Sequence, residues 1–225
     1  MKFYSVAIDG PSGAGKSTLA RKLASELNFL YVDTGAIYRT VALYAQKSGI
    51  DYSEHDQIIA SLEALDIRMA YGDDGLQRMY LQGEDVTDAI RIHSVSYGAS
   101  MVAAIPKVRE FLLDYQRKMA REQNVVMDGR DIGTVVLPDA DVKIFLTASA
   151  EIRARRRALE LEQRGQNVDF SAILHDVQQR DEQDRNRPIA PLRQAEDAVL
   201  LDTSEMDLNE SLQAMLKIAR EGLNQ

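Results

Sequence analysis

The sequence predicts an α/β fold: a central parallel sheet flanked by helices, with a small antiparallel β insert and a helical lid. Three observations lead there. Five short apolar runs are strand-length, do not alternate, and suit strands covered on both faces. Helical patterns lie between them. A glycine-rich loop joins the first run to the first helix.

The runs and helices follow in order. Phe3 to Ile8 ends at Asp9. From Lys16, the leucines Leu19, Leu23 and Leu27 recur every four residues beside Ala20 and Ala24, the pattern of an amphipathic helix ended near Asn28. Phe29 to Val32 ends at Asp33, and a helix over 36–46 is closed by Ser48-Gly49. Residues 66–91 break the alternation: Ile67–Tyr71, Gly72-Asp73-Asp74-Gly75 and Met79-Tyr80-Leu81 read as a hairpin unit outside the main sheet. Pro106 opens a helix to about Glu122. Val125 to Met127 ends at Asp128, and Val142 to Leu146 ends at Thr147. Helices fit 150–164, 170–186 and 207–222, and Ala198 to Leu201 ends at Asp202. In such sheets ligands bind at the carboxyl ends of the strands. Asp is also a common turn and cap residue, so about half of these four Asp are expected to do only that.

Composition narrows the function classes. The 225 residues are long for one domain and short for two. No cysteine is present, which excludes a disulfide framework, a thiolate zinc site, an iron–sulfur cluster and a Cys nucleophile. The net charge of −8 argues against general binding to nucleic acid or an anionic membrane. The N-terminal apolar run meets Asp9-Gly10 at once, too soon for a signal peptide, and no run reaches the ~20 apolar residues of a membrane span. A cytoplasmic monomer is expected.

Gly10-Pro11-Ser12-Gly13-Ala14-Gly15-Lys16-Ser17 matches the phosphate-binding loop G-x-x-x-x-G-K-[ST]. Glycines let the loop curl and aim N–H groups at phosphate, and the next helix turns its positive end to the same anion. Lys16 can reach the β- and γ-phosphates, and the Ser17 hydroxyl can ligate Mg²⁺. The preceding strand and following helix supply the context that a mere glycine turn lacks. A nucleophile elbow fails, because Ala14 stands where G-x-S-x-G needs its second Gly.

The loop implies a nucleoside triphosphate but no acceptor, and four further clusters bear on that. Arg153-Ala154-Arg155-Arg156-Arg157 and Arg180 to Arg187 are Arg-dense. A helical charge run is usually a solvated face. Here Arg155-Arg156-Arg157 packs three cations with acids only outside the run, which favours a lid closing on phosphates. Asp33-Thr34-Gly35-Ala36-Ile37-Tyr38-Arg39 places Arg39 one turn into a helix. Asp128-Gly129-Arg130-Asp131 suits substrate or metal binding at the end of a strand.

The combination IDGPSGAGKST, DTGAIYR, DGRDIGT and RDEQDRNRPIAPL closely resembles the bacterial cytidylate kinases, from Ile8 to the C-terminal helix. The resemblance implies a P-loop nucleoside monophosphate kinase fold and the reaction ATP + (d)CMP → ADP + (d)CDP with Mg²⁺, a step of pyrimidine metabolism. It implies one kinase domain over 1–225, with a core at about 1–35, 106–149 and 168–225. The monophosphate-binding region would span about 36–105 and the lid about 150–167. Gly10, Pro11, Ser12, Gly13, Ala14, Gly15, Lys16, Ser17 and Thr18 would bind ATP phosphates, with Ser17 as metal ligand. Thr34, Arg39, Ser100, Arg109, Arg130, Asp131, Arg180, Asp184 and Arg187 match the family's acceptor contacts. Some relatives carry Ser at position 34, also a hydroxyl. Others carry Thr or Gly at position 17, and Gly would lack the metal-binding hydroxyl.

Chemistry assigns roles within that set. Cytosine offers an amino group where uracil offers O4, so a carboxylate, Asp131, would accept from the amino group, with Arg109 donating to N3 or O2 and Ser100 assisting. Arg39 and Arg130 would hold the α-phosphate, with Arg187 near the phosphate or ribose. Asp184, positioned by Arg180, would take the ribose hydroxyls. Lys16, Arg153 and Arg157 would neutralise the migrating phosphoryl. No general base is needed, because the acceptor is already an anionic oxygen. His55, His93 and His175 are scattered without metal-like spacing. The rival readings are a same-fold kinase acting on UMP, AMP, shikimate or a sugar, and a non-catalytic ATP-dependent switch.

Overall fold

The computed structural model describes residues 2–224 apart from Arg164. Arg164, inside the expected lid span, lies outside the described residues. The chain divides into two compact units, Met1–Tyr31 with Glu122–Gln225, and Val32–Arg121.

The first unit carries the parallel sheet. Its strands are β1 (Ser5–Asp9), β2 (Leu30–Asp33, within which the chain passes into the second unit), β6 (Val125–Gly129), β7 (Val142–Thr147) and β8 (Val199–Asp202). Their order is β2-β6-β1-β7-β8, with β1 central and parallel to both β6 and β7. The β1, β6 and β7 segments are buried almost throughout, which is why their apolar runs do not alternate. Helix α1 (Lys16–Leu27) buries Leu19, Ala20, Leu23 and Ala24, and stops where Asn28 turns left-handed at φ 54°. Helix α8 (Leu208–Leu223) starts in a capping box of Asp207 and Glu210 and buries Met215, Leu216, Ala219 and Leu223 in the same core. Helices α6 (Ala150–Gln163) and α7 (Phe170–Asn186) pack on each other.

The second unit holds the antiparallel sheet β3 (Ile67–Tyr71), β4 (Gln77–Leu81) and β5 (Glu84–Asp85), in that order. Met69 pairs with Met79, and β4 buries Gln77, Met79 and Leu81 on alternate positions. Its helices are α2 (Thr34–Lys47), α3 (His55–Ser61), α4 (His93–Val102) and α5 (Pro106–Glu122). The sequence reading grouped 106–149 with the core. In the structure α5 clusters with the second unit, because Val108 and Leu112 join Ile37, Val41, Ile58, Met79 and Ile90 in one apolar cluster.

Two helices have no counterpart in the sequence reading. α3 is only seven residues long. α4 packs against α2 and sends Val95 and Val102, with Ala99 between them, into the apolar cluster of this unit. A third unexpected element is a π-helical turn, Ile132–Val136, directly after Asp131.

Candidate active site

The phosphate loop leaves β1 at Gly10. There φ is 152°, and a Cβ would stand 1.9 Å from the Leu146 carbonyl oxygen of β7. Only glycine lets the loop start this close to its neighbouring strand. Gly10→Ala is expected to cost about 2–3 kcal/mol, read as a lower urea midpoint with an unchanged slope; an unchanged midpoint would remove the close approach from the account. Gly13 and Gly15 then take left-handed φ values of 77° and 85°, which curl the chain into α1. Lys16 opens that helix. It is buried, and its Nζ donates to the Pro11 carbonyl at 2.7 Å across the loop. Burial, with Arg130 nearby, pulls its ammonium down to about 7, against the attraction of Asp128, Asp184 and Asp9. These opposing charges put the phosphate loop and the ends of β1, β6 and α7 in one electrostatic environment.

The four strand-end aspartates separate by role. Asp202 accepts from Ser204 N and Oγ at 2.9 and 2.6 Å and is a turn residue at the surface. Asp33 caps α2 through Ala36 N at 2.9 Å and pairs with Arg39 Nη2 at 2.8 Å. Burial pushes its carboxyl up, but Arg39 and the cap hold it below the usual range. Asp128 accepts from Ser17 Oγ at 3.0 Å and from Tyr31 Oη at 2.9 Å, so it ties the phosphate loop to the sheet. Asp9 accepts from the amides of Ile132 and Gly133, each at 2.7 Å.

Arg130, one residue before Asp131, donates from Nε to Asp184 Oδ2 at 2.7 Å and from Nη1 to the Gly129 carbonyl at 3.2 Å. Asp184 is buried, which raises its carboxyl, but Arg130 and Arg187 outweigh that and hold it low. Arg187 donates to the Ala190 carbonyl at 2.8 Å, and Leu192 N donates to the Asp184 carbonyl at 2.8 Å, which folds the segment after α7 back onto Asp184. Asp131 is buried at the start of the π-turn. Arg180 stands on α7, one turn before Asp184. The first unit therefore brings together Lys16, Ser17, Arg130, Asp131, Asp184 and Arg187 of the expected set.

In the second unit, Thr34 is buried as the first residue of α2, and Ser100 sits on α4. Arg109 of α5 donates to the Ala103 carbonyl at 3.3 Å, with its guanidinium 5.6 Å from the centre of the Tyr38 ring. Arg39 keeps a buried Nε with no hydrogen-bond partner while Nη2 holds Asp33. An orphaned guanidinium nitrogen beside a helix start suits an anionic ligand.

The Arg153–Arg157 run sits differently from the bare cationic lid expected. Arg153 is 3% exposed and forms a bidentate pair with Asp181 of α7, while also donating to the Ser12 and Ala148 carbonyls. Arg156 donates to the Thr203 carbonyl at 2.7 Å and lies against Ala14 of the loop. Arg157 pairs with Glu160 at 3.2 Å on the surface. Most of the run is thus absorbed by folded contacts.

Sequence reasoning missed Asp9, Tyr31 and Asp181 as site residues, and named Asp128 only within a cluster suited to substrate or metal binding. Asp128 was the most visible of these, since it ends a strand next to the phosphate-loop strand. Ser17 and Asp128 are both oxygen donors, the ligand type a Mg²⁺ ion takes. Among the described residues no group of three or more His, Asp or Glu side chains forms a metal cluster, and no helix is long and apolar enough to cross a membrane.

Comparison with known proteins decides the family. A family model described as cytidylate kinase matches residues 6–221. The chain belongs to the cytidylate kinase family. The cytidylate kinase of Caldicellulosiruptor bescii is 48% identical over 97% of this chain and 96% of its own. That of Carboxydothermus hydrogenoformans is 49% identical over 95% and 96%. Among solved structures, a gluconokinase from Sinorhizobium meliloti aligns with a TM-score of 0.50, covering 100% of this chain and 97% of that one, at 16% identity, a likeness of fold alone. In this cytidylate kinase family member, Arg130 and Asp184 form a preset pair beside the loop lysine.

Proposed function

We propose that this chain transfers the γ-phosphoryl of ATP to CMP or dCMP, giving ADP and CDP or dCDP. Beyond family membership, one observation carries the reading. Lys16 shares a buried electrostatic environment with Arg130, Asp128 and Asp184, so a phosphate-loop cation and acceptor-type residues stand in a single unit. A switch module has no need of that second set.

The residues fit the chemistry. Lys16 and the loop amides neutralise the triphosphate. The Ser17 hydroxyl and the Asp128 carboxylate would hold Mg²⁺, which would supply charge neutralisation to the triphosphate. Arg130 holds the acceptor phosphate. Asp184, kept ionised by Arg130, accepts from the ribose hydroxyls. Asp131 accepts from the cytosine amino group. The acceptor oxygen is already anionic, so catalysis is positioning plus electrostatic stabilisation.

The test is a panel of CMP, dCMP, UMP, AMP and shikimate with ATP and Mg²⁺, followed by ADP release. CMP or dCMP should lead by at least about tenfold. Equal use of UMP or AMP would overturn the base assignment, and ATP binding without transfer would overturn the activity. Asp131→Asn should narrow the CMP-over-UMP ratio by roughly 10- to 100-fold, because the amide can also donate to the uracil O4. An unchanged ratio moves base selection to another residue.

A further inference from the structure

The mechanism above leaves one costly group unused. Asp9 is 4% exposed, carries a carboxylate next to the phosphate loop, and touches none of the proposed substrate groups. It closes β1, the central strand, in register with Gly129 of β6 and Phe145 of β7. Its two oxygens reach separate amides, Oδ1 to Ile132 N and Oδ2 to Gly133 N, both at 2.7 Å. Those amides open the π-turn whose first acceptor is the Asp131 carbonyl, bonded by Val135 N at 2.9 Å and Val136 N at 3.2 Å. Arg130, paired with Asp184, stands immediately upstream. One carboxylate thus clamps the residues that follow both Arg130 and Asp131.

No neutral side chain of that size does this job. Asn offers one acceptor and one NH₂, and the NH₂ would face an amide N–H. Gly133 lies under the Lys143 stem: an added Cβ would stand 3.1 Å from Lys143 Cδ, a tight approach, and 3.4 Å from Asp9 Oδ2, an ordinary contact. Lys143 covers the turn from β7, with its Nζ on Asp197 at 2.7 Å. Burial pushes the Asp9 carboxyl up to about 6 despite the two amide bonds that favour its charge. π-turns concentrate at functional positions, where the extra residue re-aims a side chain.

We propose that Asp9 is a positioning residue for the acceptor side: by gripping Ile132 and Gly133 it sets the backbone of Arg130 and Asp131, and so the seating of the monophosphate, from the strand that also launches the phosphate loop. This rests on the function proposed above.

The experiment is steady-state kinetics of the full chain, wild type against Asp9→Asn and Gly133→Ala, with thermal unfolding of each. Both variants should raise the KM for CMP at least about tenfold and loosen CMP-over-UMP selection, while the KM for ATP stays within about twofold. Gly133→Ala loads the same turn through the Lys143 stem and keeps the Asp9 carboxylate in place, so it reports on the same junction if Asp9→Asn does not fold. An unchanged KM for CMP in a folded variant overturns the proposal. So does an equal rise in both KM values, which is the mark of general loss of structure. If the wild type prefers another monophosphate, the function reading fails alone, and the same split is read on that acceptor.

Discussion

Lys16→Met should abolish phosphoryl transfer, with kcat falling by about 10³-fold or more, while the protein stays folded. The loss follows from geometry. Lys16 is the loop's own cation, anchored at the first residue of α1, and the other cations at the loop, Arg153 and Arg156, are already committed to Asp181 and the Thr203 carbonyl. The persistence of the fold follows from energetics. The amine is buried and donates to the Pro11 carbonyl, and burial already disfavours its charge. Methionine fills a similar volume without that penalty. The melting temperature should therefore be no lower than in the wild type. A variant that keeps more than about a tenth of wild-type turnover would remove Lys16 from the transition state. A variant that unfolds would assign it a structural role instead.

How much of this could be read from the chain depends on how local each feature is. The phosphate loop and α1 were legible because every signal lies between Phe3 and Asn28: an apolar strand, glycines at the left-handed positions, a four-residue leucine spacing and an Asn stop. The antiparallel insert was legible for the same reason, through the turn residues between Tyr71 and Gln77. The π-turn was not, because what shapes it is a carboxylate 123 residues away in sequence. Asp9 read from sequence as one more strand-end Asp, and only the neighbouring strand shows what it holds. α4 was hidden because its apolar positions Val95, Ala99 and Val102 are few and stand among serines, a glycine and a histidine. The site residues split in the same way. Residue types announced Lys16, Arg39 and Arg130, but which cations are already paired depends on tertiary partners. Charge repulsion made the run from Arg153 to Arg157 look poised for an anion. In the folded chain, Thr203, Glu160 and Asp181 answer that repulsion first.

That last pairing yields the largest stability effect expected. Asp181→Ala should destabilise the protein by about 3–5 kcal/mol, seen as a lower urea midpoint, because it strands a buried guanidinium. Arg153 and Asp181 are 3% and 9% exposed at their side chains, and two parallel hydrogen bonds join them. The remaining Arg153 bonds, Nε to Ala148 and Nη1 to Ser12, are to carbonyls, which cannot neutralise the charge. Removing both charges tests the cause: Arg153→Met with Asp181→Leu should recover most of the loss, since an apolar pair of similar volume carries no desolvation cost. Recovery in the double variant with a raised KM for ATP would show Arg153 acting through the Ser12 carbonyl, which it fixes at 2.9 Å in the loop. The surface pair of Arg157 and Glu160 provides the contrast. Arg157→Ala should leave the urea midpoint unchanged, as exposed pairs contribute little, so any fall in its turnover reports on phosphoryl transfer alone. A stable Asp181→Ala would show that Arg153 finds another anion or water when released, and would return it to the mobile role that its sequence neighbours suggest.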